Sequence, residues 1–222
     1  SSHSWALKFI SNNSNPEETT LLDIGCGPGD FCANYTNLVK ESTGLDINIP
    51  TVSKFTHFIQ LDLDKHNINI DIGEYDIVLM LDIIEHLSSP ENFLINVRNS
   101  INSIKTPKTI ISVPNIGFLL VRMNLLFGRF NYADRGILDI THKRFFTKKS
   151  FIRLLNETGF EVNDIRGIGV PFKLLGSSFI FNILGKISSI FAYFWPSLFA
   201  FQFIATVKPK PTTYQLIKNY LE

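Results

Sequence analysis

Apolar and polar positions along the chain alternate between two periods. Short apolar runs at 20–24, 43–46, 57–61, 75–81 and 109–113 predict strands, and the near-continuous run at 75–81 predicts one buried on both faces. Phe31, Tyr35, Leu38 and Val39 recur at helical spacing and predict a helix over 29–40. Ser89, Pro90 and Glu91 supply a cap, a first-turn proline and an acid suited to a helix N-terminus. Phe93, Val97, Ile101 and Ile104 mark the buried face of the helix that follows. Thr147 caps a further helix, with Phe151, Leu154 and Leu155 inward and Gly159 as its stop. Runs at 160–165 and 200–207 predict two last strands. Strands alternating with helices make this an α/β chain with a seven-stranded, mostly parallel sheet covered on both faces.

Two segments stand outside the alternation, one at 116–146 after strand five and one at 167–196 after strand six. Ligands of open α/β sheets bind beyond the carboxyl ends of the strands. The first insertion leaves strand five at that edge and is placed to cover a substrate. Its stretch 118–132 is apolar with Arg122, Arg129 and Asn131 interspersed. It reads either as a lid over a sugar, lipid or nucleotide-linked acceptor, the arginines facing phosphate, or as ordinary core. In the second insertion the only charge between Lys173 and Lys208 is Lys186. The charge-free run 187–207 has the ~20 residues that span a bilayer, but Pro196 interrupts it and 200–207 is needed as a strand. The segment 174–195 therefore reads as helices that cover the fold, pair subunits as a homodimer, or lie on a membrane or lipid-linked substrate.

A chain of 222 residues suits one domain spanning 1–222. With 45% apolar and 18% charged residues it is globular. A net charge of +1 leaves no electrostatic case for nucleic acid. Cys26 and Cys32 are expected as free thiols, and no basic-then-apolar leader precedes Ser1, so the expectation is cytoplasmic. Membrane association through 174–195 is the alternative.

The strongest chemical signal is Leu22-Asp23-Ile24-Gly25-Cys26-Gly27-Pro28-Gly29, which follows a strand. Gly25 and Gly27 permit a tight turn and a close backbone approach to a ligand. Asp46 ends the next strand, where a carboxylate can accept both hydroxyls of a ribose. Asp62 ends the third and is placed to meet an adenine amino group. Asp23, at the end of a buried strand, requires a partner.

These residues resemble the class I S-adenosylmethionine-dependent methyltransferases, whose fold is Rossmann-like. Asp23 to Gly29 is similar to that family's first motif, and the likeness continues through Asp46, Asp62 and the strand-end run from Tyr75 to Asp82. The resemblance implies S-adenosyl-L-methionine as cofactor. It implies a donor site built from Asp23, Gly25, Cys26, Gly27 and Gly29 for the methionine part and Asp46 with Ile47 for the ribose. Asp62 with Leu63 would take the adenine edge, with Leu81 and Asp82 closing the strand-end side. A nicotinamide-dinucleotide fold is the weaker match. It expects a glycine at position 30, which is Asp, and an apolar residue in place of Asp23.

Methyl transfer to oxygen or nitrogen needs alignment and a base, and two clusters qualify. Asp82-Ile83-Ile84-Glu85-His86-Leu87 follows strand four, with Glu85 and His86 on one side of a turn. It resembles the acid-x-x-Glu-His stretch of ubiquinone-type O-methyltransferases, where these positions are associated with a divalent metal. Many metal-free relatives carry a similar Glu-His, and no metal is assigned here. The second cluster, Asp139 to Thr147, resembles the His-x-x-Phe-Phe-Thr stretch of methyltransferases of cell-surface sugar pathways. His142 is then a general base or an anchor of the insertion, and Arg144 a partner of Asp139 or of an anionic substrate group. These likenesses imply O-methylation of a sugar or polysaccharide-biosynthesis intermediate, with a quinone- or lipid-type acceptor at a membrane surface as the alternative. The third reading is a cofactor-binding subunit without chemistry of its own.

Overall fold

The computed structural model describes residues 1–51, 54–102, 106–172, 179–212 and 215–216. Its sheet holds β1 (Thr20–Ile24), β2 (Glu41–Asp46), β3 (His57–Gln60), β4 (Ile77–Leu81), β5 (Lys108–Pro114), β6 (Phe160–Ile168) and β7 (Gln202–Pro209). The strand order is β3-β2-β1-β4-β5-β7-β6. β3, β2, β1, β4 and β5 are parallel in succession, and β7 is antiparallel to both of its neighbours. All seven predicted strands form, with boundaries that differ by at most a few residues.

Successive strand residues point to opposite faces, so β1 divides its side chains between two cores. On one face Leu22, Ile24, Val78 and Met80 pack against α2 (Pro90–Asn99) and α4 (Lys148–Glu157). On the other, Leu21, Ile77 and Leu79 pack against Ala6 and Ile10 of α1 (Ser2–Asn13). The capping box of α4 is complete. Thr147 Oγ1 accepts from the Ser150 backbone, and Ser150 accepts from the Thr147 backbone. Gly159 ends the segment at φ 86°, and a Cβ there would collide with the Arg98 side chain.

Three expectations need correction. Segment 29–40 is not one helix but two short 3₁₀ turns, Cys32–Asn34 and Thr36–Leu38. Asn34 spends its side-chain amide on the carbonyls of Asp30 and Phe31, the local competition that makes Asn and Thr poor helix interiors. The break lets Cys32, Tyr35 and Val39 all enter the second core. Ser89 makes no side-chain cap to α2, which ends at Asn99, before Ile101; Ile104 lies outside the described residues. Helix α1 escaped the apolar pattern because only Ala6 and Ile10 of its hydrophobic residues are buried.

The first insertion carries α3 (Leu119–Leu126), and the second carries α5 (Phe179–Phe194) and α6 (Pro196–Phe199). Residues 173–178, where the expected apolar segment begins, lie outside the described residues. Buried Asn115, just after β5, ties the insertions together. Its amide donates to the Ala200 carbonyl at 2.8 Å and its oxygen accepts from Gly117 N at 2.9 Å.

Candidate active site

The glycine turn leaves β1 at the carboxyl edge of the sheet and is tied to β2. Gly25 N donates to the Leu45 carbonyl at 2.7 Å, and Gly27 N donates to Asp46 Oδ2 at 2.8 Å. Gly25 has φ 76°, and a Cβ built on it would lie 2.7 Å from Ile83. Glycine is required there on both counts. Beside the turn lies a cavity of about 170 Å³. Gly25, Asp46, Ile47, Asp62, Leu63 and His86 are among its lining residues.

The cavity fits the adenosine part of S-adenosylmethionine in its chemistry. Each Asp46 carboxylate oxygen takes one backbone N–H, from Gly27 or from Asn48 at 2.9 Å. One lone pair on each remains for a ribose hydroxyl. Ile47 is 51% exposed although apolar, and with Leu63 it offers the faces between which a base would lie. Asp62, held by Lys65 at 2.9 Å, reaches the same cavity. Cys26, Gly27, Gly29, Leu81 and Asp82 are not among its lining residues.

Asp23 has its partner. Tyr35 Oη donates to Asp23 Oδ2 at 2.7 Å inside the protein. Burial pushes the Asp23 carboxyl up to about 6, against the pull of the Tyr35 hydrogen bond. Burial and the adjacent Asp23 charge raise the tyrosine hydroxyl as well. Cys26, half-buried beside these carboxylates, is pushed up to about 12 and stays a thiol; both cysteines are free.

Asp82, the residue after β4, has φ 53° and is the one described non-glycine residue with positive φ. Its carboxylate accepts from Ser112 at 2.7 Å, Gln202 at 2.9 Å and Ser2 at 3.0 Å. Those donors come from β5, β7 and α1, so three distant elements hold one side chain. Nothing in the sequence near Asp82 announces them.

The two sequence clusters meet. The Glu85 carbonyl accepts from Lys143 N at 2.8 Å and Arg144 N at 3.0 Å, which lays the second cluster across the turn after β4. The rings of His86 and His142 consequently sit edge to face with centroids 4.8 Å apart. His142 Nδ1 lies 3.0 Å from the Ile137 carbonyl. A carbonyl only accepts, so in the neutral ring Nδ1 carries the proton and Nε2 a free lone pair. His86 Nδ1 lies 3.1 Å from Thr141 Oγ1, whose own proton goes to Asp139 Oδ1 at 2.6 Å. The same logic leaves His86 Nε2 basic. Burial, then the neighbouring His142, depress the His86 pKa below its ordinary value and favour the neutral ring.

Glu85 is buried, and its Oε2 has no hydrogen-bond partner among the described residues. Burial, reinforced by Asp82, raises its carboxyl well above the usual range. Ligand atoms of Glu85, His86 and His142 all lie within 4.8 Å of one another, a set able to hold a divalent cation. Arg144 does not pair with Asp139. Its guanidinium meets Glu91 at 2.8 and 3.0 Å, and Asp139 is engaged by Thr141. Arg122 donates Nε to the Gly117 carbonyl at 2.6 Å and Nη2 to the Ser197 carbonyl at 3.3 Å.

Fold and site together define a class I methyltransferase domain that takes its methyl group from S-adenosyl-L-methionine. A methyltransferase-domain family model matches residues 4–165, and the chain belongs to that family. Among curated relatives, the ubiquinone biosynthesis O-methyltransferase of Maricaulis maris is 35% identical over 89 residues, 36% of this chain and 35% of that protein. The protein of the same name from Rickettsia bellii is 24% identical over 170 residues, 72% of this chain and 69% of that one. A solved S-adenosylmethionine-dependent methyltransferase from Archaeoglobus fulgidus superposes with a TM-score of 0.58 at 20% identity, over 94% of this chain and 92% of that one. A Burkholderia thailandensis N1-methyltransferase of 1,6-didemethyltoxoflavin, solved with S-adenosylhomocysteine, gives 0.58 at 12% identity, over 95% of this chain and 79% of that one.

Proposed function

We propose that this chain transfers a methyl group to a hydroxyl oxygen of a small molecule with a substantial apolar or aromatic part, a quinone- or lipid-type acceptor. When bound, S-adenosylmethionine supplies an electrophilic methyl on sulfur. Asp46, Asp62 and the Gly25 turn would hold it beside His86. His142 Nε2, aimed by the Ile137 carbonyl, would take the hydroxyl proton, and the Thr141–Asp139 pair would keep His86 in the tautomer that assists it.

The observation that carries this reading is the wall around the base. His142 packs against Phe145 with ring centroids 6.3 Å apart, and Phe130 lies 5.5 Å from Tyr132 and 6.1 Å from Phe145. An aromatic wall suits a flat or apolar acceptor better than a free sugar. The names of the relatives point the same way. A sugar acceptor is the second reading. It is favoured by an adjoining polar cavity of about 210 Å³ lined by His66, Asn67, Ser88, Asn92 and Asn96 among others.

The test is a two-stage assay on the purified chain. Calorimetry with S-adenosylmethionine comes first, followed by a release assay for S-adenosylhomocysteine with prenylated catechols and with nucleotide-linked sugars. Turnover of the catechols supports the proposal. Turnover of the sugars alone transfers the assignment to the second reading, and no cofactor binding by folded protein overturns both.

A further inference from the structure

We propose that α5 docks this protein onto an anionic lipid bilayer, lying in the plane of the interface. Among the described residues no helix is long and apolar enough to cross a membrane. With 16 residues α5 reaches about 24 Å, short of a hydrocarbon core of about 30 Å. One side of it is seated on the fold. Gly167 near the end of β6 and Gly169 just after it have no room for a Cβ against Ala192 and Ser188–Ser189, and Ser188 Oγ accepts from Val170 N at 2.9 Å.

The opposite side is an uninterrupted apolar stripe. Phe179, Ile183, Ile187, Ile190 and Phe194 are 77%, 41%, 44%, 56% and 80% exposed. The helix closes on Tyr193 and Trp195, 77% and 61% exposed, the side chains that membrane interfaces favour. At α6 this helix meets the start of α3, where Arg122 Nη2 donates to the Ser197 carbonyl at 3.3 Å. Leu126 and Phe127, at the end of α3, are 75% and 69% exposed.

Charge selects the occupant. Helix α5 itself carries Lys186 and no Asp or Glu. Segment 116–133, which contains α3, carries Arg122 and Arg129 and again no acid. A second copy docking on this face would set cations against cations, whereas anionic headgroups would complement them. The inference holds whatever the methyl acceptor is.

The experiment is flotation of the full chain with vesicles of phosphatidylcholine alone or mixed with phosphatidylglycerol, with brominated lipid as a tryptophan quencher. Only two tryptophans are present. Trp5 is stacked on Phe9 in α1, so quenching reports Trp195. Co-flotation with the mixed vesicles, reduced by salt and accompanied by quenching, is expected. Ile187→Ser with Phe194→Ser, both on the exposed stripe, should weaken partitioning about a hundredfold, and Lys186→Glu about tenfold, without moving cofactor affinity measured free of vesicles. The proposal is overturned by failure to float with the mixed vesicles. It is equally overturned by unquenched Trp195 together with a sedimenting dimer, which would mean that a second copy covers the helix.

Discussion

The proposed donor and acceptor sides of this site are built by opposite strategies. On the donor side, the Gly25–Gly29 turn, Asp46 and Asp62 each sit at or just beyond a strand end, and neighbouring parallel strands bring them together through regular register. On the acceptor side, His86 and His142 are far apart in sequence and meet because one backbone carbonyl, that of Glu85, takes two amides from the insertion. A site assembled by sheet register leaves a motif in the sequence. A site assembled by an insertion folding back leaves two unconnected fragments.

Four substitutions test how separable the two sides are. The largest effect is expected from His142→Ala, with turnover falling roughly 10²–10⁴-fold as a positioned base is removed and cofactor affinity by calorimetry unchanged. Equal losses in both would mean the histidine serves the fold. The wild-type rate should also decline as pH falls below the ordinary histidine value. Burial depresses the His86 pKa, so its ring keeps the Nε2 lone pair at the ordinary value and loses it only at lower pH. A rate that stays flat as the acid limb is followed to the edge of folding stability would remove His86 from the chemistry.

Asp46→Ala should weaken S-adenosylmethionine binding about a hundredfold, because it deletes acceptors for the ribose and releases Gly27. Turnover at saturating cofactor should suffer far less, and the reverse pattern would dissolve the division between the two sides.

Asp23→Asn concerns stability. The Asp23 carboxyl has a folded pKa of about 6 against an ordinary 3.8. The raised value means that its contribution to stability is present below the unfolded pKa and lost as pH rises through 6. Asn keeps an acceptor for Tyr35 and titrates nowhere. The variant should gain on the wild type between pH 4 and pH 7 by up to about 3 kcal/mol, read from urea unfolding at both values. A pH-independent difference would show that Asp23 ionises in the fold as easily as in solution.

The smallest effect is Thr147→Ala, which removes one half of the capping box of α4 and should cost about 1 kcal/mol with cofactor affinity intact. A large loss of turnover instead would mean that this cap also sets the position of His142.

Legibility in the sequence followed the same division. The seven strands were readable because each is a short apolar run bounded by turn residues, and the Thr147 cap because its signal is local. The helix expected at 29–40 was not readable as what it is. Its apolar spacing was helical, but Asn34 and the pull of Tyr35 toward Asp23 broke it into two turns. Arg144 was left between Asp139, its neighbour in sequence, and an anionic substrate group, whereas folding offered it Glu91. Ser2, Ser112 and Gln202 were invisible as partners of Asp82 because hydrogen bonds across such separations carry no periodicity.

By itself the amino-acid sequence determined the layered α/β architecture and the donor turn. Period-2 and period-3.6 burial, and the conformational freedom of Gly25, are local properties of the chain. Only the tertiary structure decided which histidine nitrogens are left basic, which side chains hold Asp82, and that one side of α5 is seated while the other stands exposed. Those outcomes depend on which distant donor, acceptor or surface arrives opposite a residue, and that is set by the packing of the whole fold.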